Sequence, residues 1–207
     1  MHEEIKKKGR KPKETPESRK REILEVVDEN CNPVTILGRE EIHKKGFFHK
    51  AVHIFIFNEN GEIYLQKKSQ AVDENPGLWT SSASGHVLAG ESFLITAQRE
   101  LKEELSIKIK LEEVLRVPPS EETGKQCVVL FVGYTKKIPK PNPLEIEEGK
   151  FMSVEEVERL IQTKPEIFSP TFRFLWKKYW ENIPPVSYTH LRAHETRHDL
   201  VCRLLLE

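Results

Sequence analysis

Residues 84–107 read SGHVLAGESFLITAQRELKEELSI, and the fold and chemistry of the chain turn on this stretch. It carries Glu91, then Arg99, Glu100, Glu103 and Glu104 within six residues. On a helix Glu100, Glu103 and Glu104 lie at i, i+3 and i+4 and so share one face. Leu94, Ala97, Leu101 and Leu105 fall on a separate apolar stripe at helical spacing. Like charges so close weaken an isolated helix. The arrangement makes sense when a cation sits among the carboxylates.

Working outward, Ala51–Phe57 reads as a strand with apolar residues on both faces, Val52, Ile54 and Ile56 on one and His53, Phe55 and Phe57 on the other. Such a strand is expected to be covered on both sides. Asn60-Gly61 turns the chain into a second strand, Glu62–Lys68. Ile23–Val27 and Val34–Leu37 read as a strand pair across the turn Asp28–Pro33, with a charged helical connection over Arg39–Lys45. Beyond the central stretch, Lys108–Leu115, Gln126–Tyr134 and Leu144–Met152 are expected strands. Ser153 with Glu156 predicts a capped helix, and Ser169-Pro170 predicts another, with Phe172, Leu175, Trp176 and Tyr179 along one face. The pattern is that of an α/β sandwich with one long central helix.

The chain has 207 residues, with 33 Lys and Arg balancing 33 Asp and Glu. That balance argues against a nucleic-acid or membrane surface spread over the whole protein. No apolar run approaches the ~20 residues that span a bilayer. Three widely spaced cysteines, Cys31, Cys127 and Cys202, suggest neither a disulfide framework nor a zinc pattern, and a reducing cytoplasm is the expected compartment. Residues 1–21 hold nine Lys or Arg against four Glu and are expected to form a disordered basic arm. Residues 22–183 are expected to be the folded domain. Residues 184–207 change character, and VSYTHLRAHETRHDLVCRLLLE resembles a translated sequencing adapter, so that segment is set aside as non-native. The codons of the gene decide this, since a sequence unlike an adapter would return the tail to the protein.

The spacing Gly85, five residues, Glu91, seven residues, Arg99-Glu100-Leu101-Lys102-Glu103-Glu104-Leu105-Ser106-Ile107 resembles the signature of the Nudix hydrolases. Every defined position matches except the last glycine, here Ser106. The resemblance implies an α/β/α sandwich with a mixed sheet and an enzyme that acts on a small-molecule diphosphate. It implies Mg²⁺, or Mn²⁺ in its place, held by Glu100 and Glu104, with Glu103 binding directly or through water. Glu91 and Arg99 would orient these ligands, and Gly85 and Gly90 would seat the loop on the helix. The chemistry is apt, because Mg²⁺ takes oxygen ligands, bridges carboxylates to phosphates and neutralises charge on a leaving phosphate. Glu103, Glu145 and Glu148 are the catalytic candidates, the last two as the general base.

His49-Lys50-Ala51-Val52-His53, Asn75-Pro76-Gly77-Leu78-Trp79-Thr80 and Gly85-His86 are similar to isopentenyl diphosphate isomerase and the hydrolases near it. In that isomerase, histidines matching His49 and His86 bind a divalent metal, and His43 could supply a further ligand. The isomerase also needs a cysteine before Gly85 and two glutamates near the start of the Gln126–Tyr134 strand. Here those places read Ser84 and Thr123-Gly124-Lys125-Gln126-Cys127. A serine hydroxyl is a far poorer proton donor than a thiol of pKa ~8.5. Pyrophosphate hydrolysis is therefore the expected activity, with isomerisation and a non-catalytic diphosphate-binding module as alternatives. No membrane or nucleic-acid partner is expected, and a homodimer is compatible with the sequence.

Overall fold

The computed structural model describes Arg19 and residues 21–182. Most of the basic arm and all of the adapter-like tail lie outside the described residues. One nine-stranded mixed sheet organises the chain. Its strands are β1 (Ile23–Val27), β2 (Pro33–Gly38), β3 (His49–Phe57), β4 (Ile63–Lys68), β5 (Trp79–Thr80), β6 (Ala83–His86), β7 (Leu111–Val117), β8 (Gln126–Tyr134) and β9 (Ile146–Met152). The helices are α1 (Arg39–Lys45), α2 (Phe93–Leu105), α3 (Val154–Thr163) and α4 (Pro170–Asn182). No helix among the described residues is long and apolar enough to cross a membrane.

β3 is the axis. It runs parallel to β8 along its whole length, from His49 opposite Gln126 to Phe57 opposite Tyr134. Its other edge is shared in succession by β1 at Val26, by β6 over Ala83–His86 and by β4 at Ile63 and Tyr64. Val52, Ile54 and Ile56 pack under Ala97, Leu101 and Leu105 of α2. Ala51, Phe55 and Phe57 pack under Phe172, Leu175, Trp176 and Tyr179 of α4. Helices thus cover both faces, which is why β3 has no polar face to show water. Phe55 meets Phe172, Trp176 and Tyr179 at ring-centroid distances of 5.7, 5.8 and 5.6 Å. Aromatic pairs at such separations add about 0.5–1.5 kcal/mol each beyond the area they bury.

Three local readings need correction. Leu94 is 45% exposed, and Phe93 packs on the core in its place. Phe93, Ala97, Leu101 and Leu105 form the i, i+4 row that faces the sheet. The strand expected over Lys108–Leu115 runs from Leu111 to Val117, because a bulge between Glu113 and Leu115 interrupts the alternation. β5 and β6 are too short for periodicity to announce them. Cys31, on the turn after β1, is joined by a disulfide to Cys127, the second residue of β8. Their 96-residue separation left no local signal of that pairing.

α2 begins at Ser92, whose hydroxyl accepts the Ile95 N–H at 3.3 Å, and ends at Ser106 with φ 56°. The Ser106 and Ile107 N–H groups bond back to the carbonyls of Lys102 and Leu101, the ending that usually carries glycine. The left-handed conformation costs a side-chain-bearing residue about 1–2 kcal/mol. Glycine removes that cost and returns part of it as freedom of the unfolded chain. Ser106→Gly should therefore stabilise by about 0.5–1 kcal/mol, a rise in Tm of roughly 1–4 °C. A fall in Tm in thermal melting would contradict this account of the helix end.

Candidate active site

Arg99 organises the first half of the site. Its guanidinium donates to Glu91 through Nε and Nη2 at 3.3 Å, to Glu100 Oε1 at 2.8 Å and to Glu103 Oε2 at 3.0 Å. It also donates to the His86 carbonyl at 3.0 Å, tying α2 to the end of β6. Glu91 in turn accepts the Thr96 hydroxyl at 2.8 Å. Gly90, at φ 82°, makes the turn that brings Glu91 back over the helix. Gly85 is needed for space, since a Cβ there would collide with the carboxylate of Glu100.

Glu100 and Glu104 are fully buried, and Glu145 joins them. Their carboxylates converge on one cation, the Arg19 guanidinium, whose Nη2 lies 3.1 Å from Glu100, 3.6 Å from Glu104 and 2.5 Å from Glu145. Glu104 also accepts from Lys68 Nζ at 3.0 Å, Gln66 Nε2 at 3.0 Å and the Ser84 N–H at 3.1 Å. Burial opposes the charged form of Glu104, but Lys68 and Arg19 outweigh it and hold its pKa below the ordinary carboxylate value. Glu145 arrives from the loop before β9 because that loop docks on the open end of α2. The Lys140 and Asn142 N–H groups bond the Leu105 and Glu104 carbonyls at 2.9 and 2.7 Å, and the Asn142 side chain then holds Glu145 at 2.9 Å.

Two sequence candidates stand elsewhere. Glu103 turns to Arg99, with its side chain 26% exposed, and is not among the converging groups. Glu148 lies on the exposed face of β9, near Lys150 at 3.9 Å, away from the buried acids. Arg19, Gln66 and Lys68 were not foreseen. Lys68 and Gln66 alternate with outward residues on β4, and only the β4–α2 packing reveals their target.

A second cluster lies next door. His49 opens β3, His86 closes β6 and His43 sits on α1. Their rings approach one another at centroid distances of 4.9–5.1 Å. One nitrogen from each falls within 4.8 Å of the others, so the three could hold a metal ion. His49 Nδ1 donates to the Phe47 carbonyl at 3.0 Å, which leaves the lone pair on Nε2. That buried Nε2 has no hydrogen-bond partner. Burial and the neighbouring His86 push the His49 pKa down to about 3, which keeps the ring neutral and able to ligate. His53 instead bonds the Ser81 hydroxyl at 2.8 Å and is a satisfied core histidine.

A cavity of about 430 Å³ runs past both clusters and is lined by Arg19, Lys68, Ser84, Gly85, Lys125 and Gln126 along with the histidines. Both donor sets fit divalent metals. The carboxylates already converge on a cation, and the histidines present an unpartnered buried nitrogen.

A nine-stranded sheet between helices, with this acidic helix packed across one face, defines a protein class, and the chain belongs to it. A family model described as NUDIX domain matches residues 47–173. Among relatives, isopentenyl-diphosphate Delta-isomerase 2 of Photorhabdus laumondii is 31% identical over 157 residues, covering 73% of this chain and 89% of the relative. Nudix hydrolase 3 of Arabidopsis thaliana is 46% identical over 72 residues, 34% of this chain and 9% of that protein. The fold is shared with a solved protein of Deinococcus radiodurans at a TM-score of 0.66 and 19% identity, covering 79% of this chain and all of that one.

Proposed function

We propose that the chain is a divalent-metal-dependent pyrophosphohydrolase acting on a small diphosphate, such as a nucleoside diphosphate derivative. The observation that carries this reading is the convergence of Glu100, Glu104 and Glu145 on one cationic point beside the cavity. In this reading Glu100 and Glu104 hold Mg²⁺, with Mn²⁺ as a substitute. Glu103 contributes through Arg99 or through water, and Glu91 and Arg99 fix the ligand geometry. An ion held there would take the place that the Arg19 guanidinium occupies among these carboxylates. Bound there, the metal neutralises the diphosphate and lowers the pKa of a bound water. Lys68 and Lys125 contribute positive charge to the wall that faces the phosphates. Glu145 takes the proton of the attacking water.

The residues favour hydrolysis because the isomerase thiol position is Ser84. Cys127 offers no free thiol in its place, being bonded to Cys31. The alternative, isomerisation of isopentenyl diphosphate, draws the broader support from relatives. The Photorhabdus protein named as an isomerase aligns over 157 residues, against 72 for the one named a hydrolase. In either chemistry the three histidines hold a second divalent ion.

The assay is formation of the nucleoside monophosphate from a panel of nucleoside diphosphate derivatives with Mg²⁺, on wild type and two variants. Glu145→Gln should lose about 10²–10⁴-fold in kcat, the usual worth of a general base. Glu148→Gln, on the exposed face of β9, should stay within about twofold, since surface changes there disturb little. Equal losses in the two variants would remove Glu145 from the base role.

A further inference from the structure

The histidine cluster has a carboxylate neighbour, Glu74, from the segment that joins β4 to β5. Its Oε1 is 3.2 Å from His43 Nδ1 and 3.5 Å from His86 Nε2. A tetrahedral ion with ligands at about 2.1 Å spaces those ligands about 3.4 Å apart. The carboxylate oxygen therefore already stands at ligand spacing from two of the three imidazoles. It is held there by Arg39, which donates to Glu74 Oε1 at 2.9 Å and to both oxygens of Asp73 at 2.7 and 3.0 Å.

We propose that Glu74 is the fourth protein ligand of a transition-metal site built with His43, His49 and His86. It deepens the metal-dependent reading above and rests on it only for the ion, not for the reaction. Three arguments carry it. His49 Nε2 is buried, unpartnered and fixed as an acceptor by the Nδ1 bond to Phe47. The first residues of β8 bring no acid to the cluster, only the Gln126 amide, 3.3 Å from His86 Nε2. An ion held by neutral imidazoles alone would keep its whole charge in a buried site, and Glu74 offsets part of it. His86 Nδ1 accepts the Arg39 Nε–H at 3.3 Å, so loading through Nε2 gives up that bond and moves the ring proton to Nδ1. The acceptor for that proton is at hand in Glu22 Oε2, which lies 3.6 Å from Nδ1 and has no hydrogen-bond partner. Imidazole-rich donors suit Zn²⁺ better than Mg²⁺ or Mn²⁺, which separates this ion from the one at Glu100 and Glu104.

The test is a Zn²⁺ titration of the full chain, read from the imidazole ¹⁵N resonances, with affinities from chelator competition. One equivalent should shift His49 and His86 in wild type. Glu74→Gln should weaken that binding by about 10–100-fold while the same resonances still respond. Glu74→Asp, which keeps the charge on a shorter arm, should fall between. Asp73→Asn, which shares the Arg39 clamp but lies outside the proposed ligand set, should stay within about threefold of wild type. Wild-type affinity in Glu74→Gln, or an equal loss in Asp73→Asn, overturns Glu74 as a ligand. Histidine resonances that ignore Zn²⁺ overturn the site. None of these outcomes depends on turnover, so the hydrolase reading stands or falls separately.

Discussion

Glu104→Gln lowers kcat by about 10³-fold, of the order lost when one preorganised electrostatic group is removed, and abolishes the rise in Tm that Mg²⁺ produces in wild type. The reason lies in how completely Glu104 is used. It is fully buried and accepts from Lys68, Gln66 and the Ser84 N–H, besides facing Arg19. Glutamine keeps the shape and removes the charge. Two effects on the metal-free fold oppose each other. Lys68 loses its anionic partner in a buried place, which is costly. The repulsion of Glu100 and Glu145 is relieved, which is favourable. The metal-free variant should therefore melt near wild type, and the rate loss belongs to the site rather than to unfolding. Retention of Mg²⁺-dependent stabilisation in thermal melts would show that Glu104 is not a ligand.

Gly85→Ala loses about 10²-fold or more in activity, of the order that a misplaced reacting group costs. Its Cβ enters space held by the Glu100 carboxylate. Neither partner can retreat easily. Gly85 is paired to Val52 on the central strand, and Glu100 is gripped by Arg99 at 2.8 Å. Stability should fall by about 1–3 kcal/mol, the range for overpacking a closed site. The double variant Gly85→Ala, Glu100→Ala should recover the stability without the activity, because the clash goes and the ligand goes with it. A double variant no more stable than Gly85→Ala would place the cost of the alanine elsewhere.

What was legible in the sequence is what is local. The periodicity of Ala97, Leu101 and Leu105, the two apolar faces of β3 and the Ser169-Pro170 helix start each lie within one element, and each stands in the structure. Glu145 was legible only as one of two candidates. What places it, and not Glu148, beside the buried acids is the docking of residues 140–142 onto the carbonyls at the end of α2, a contact made across 35 residues or more. Arg19, Lys68 and Glu74 were invisible for the same reason, since each meets its partners on an element far along the chain. The Cys31–Cys127 bond belongs with them. The signature spacing itself could not separate Glu103 from Glu100 and Glu104, because all three share a helical face and only Arg99 pulls one of them aside.

The most direct test of the central claim is product analysis with purified protein and Mg²⁺, offering isopentenyl diphosphate and the nucleoside diphosphate panel in parallel. The expected result is diphosphate-bond cleavage in at least one of these substrates, giving a nucleoside monophosphate with its phosphorylated partner or, from isopentenyl diphosphate, the monophosphate with inorganic phosphate, together with no dimethylallyl diphosphate and loss of cleavage in Glu104→Gln. Dimethylallyl diphosphate formed without diphosphate cleavage would contradict it and make the chain an isomerase, and binding without turnover under any divalent metal would make it a diphosphate-binding module.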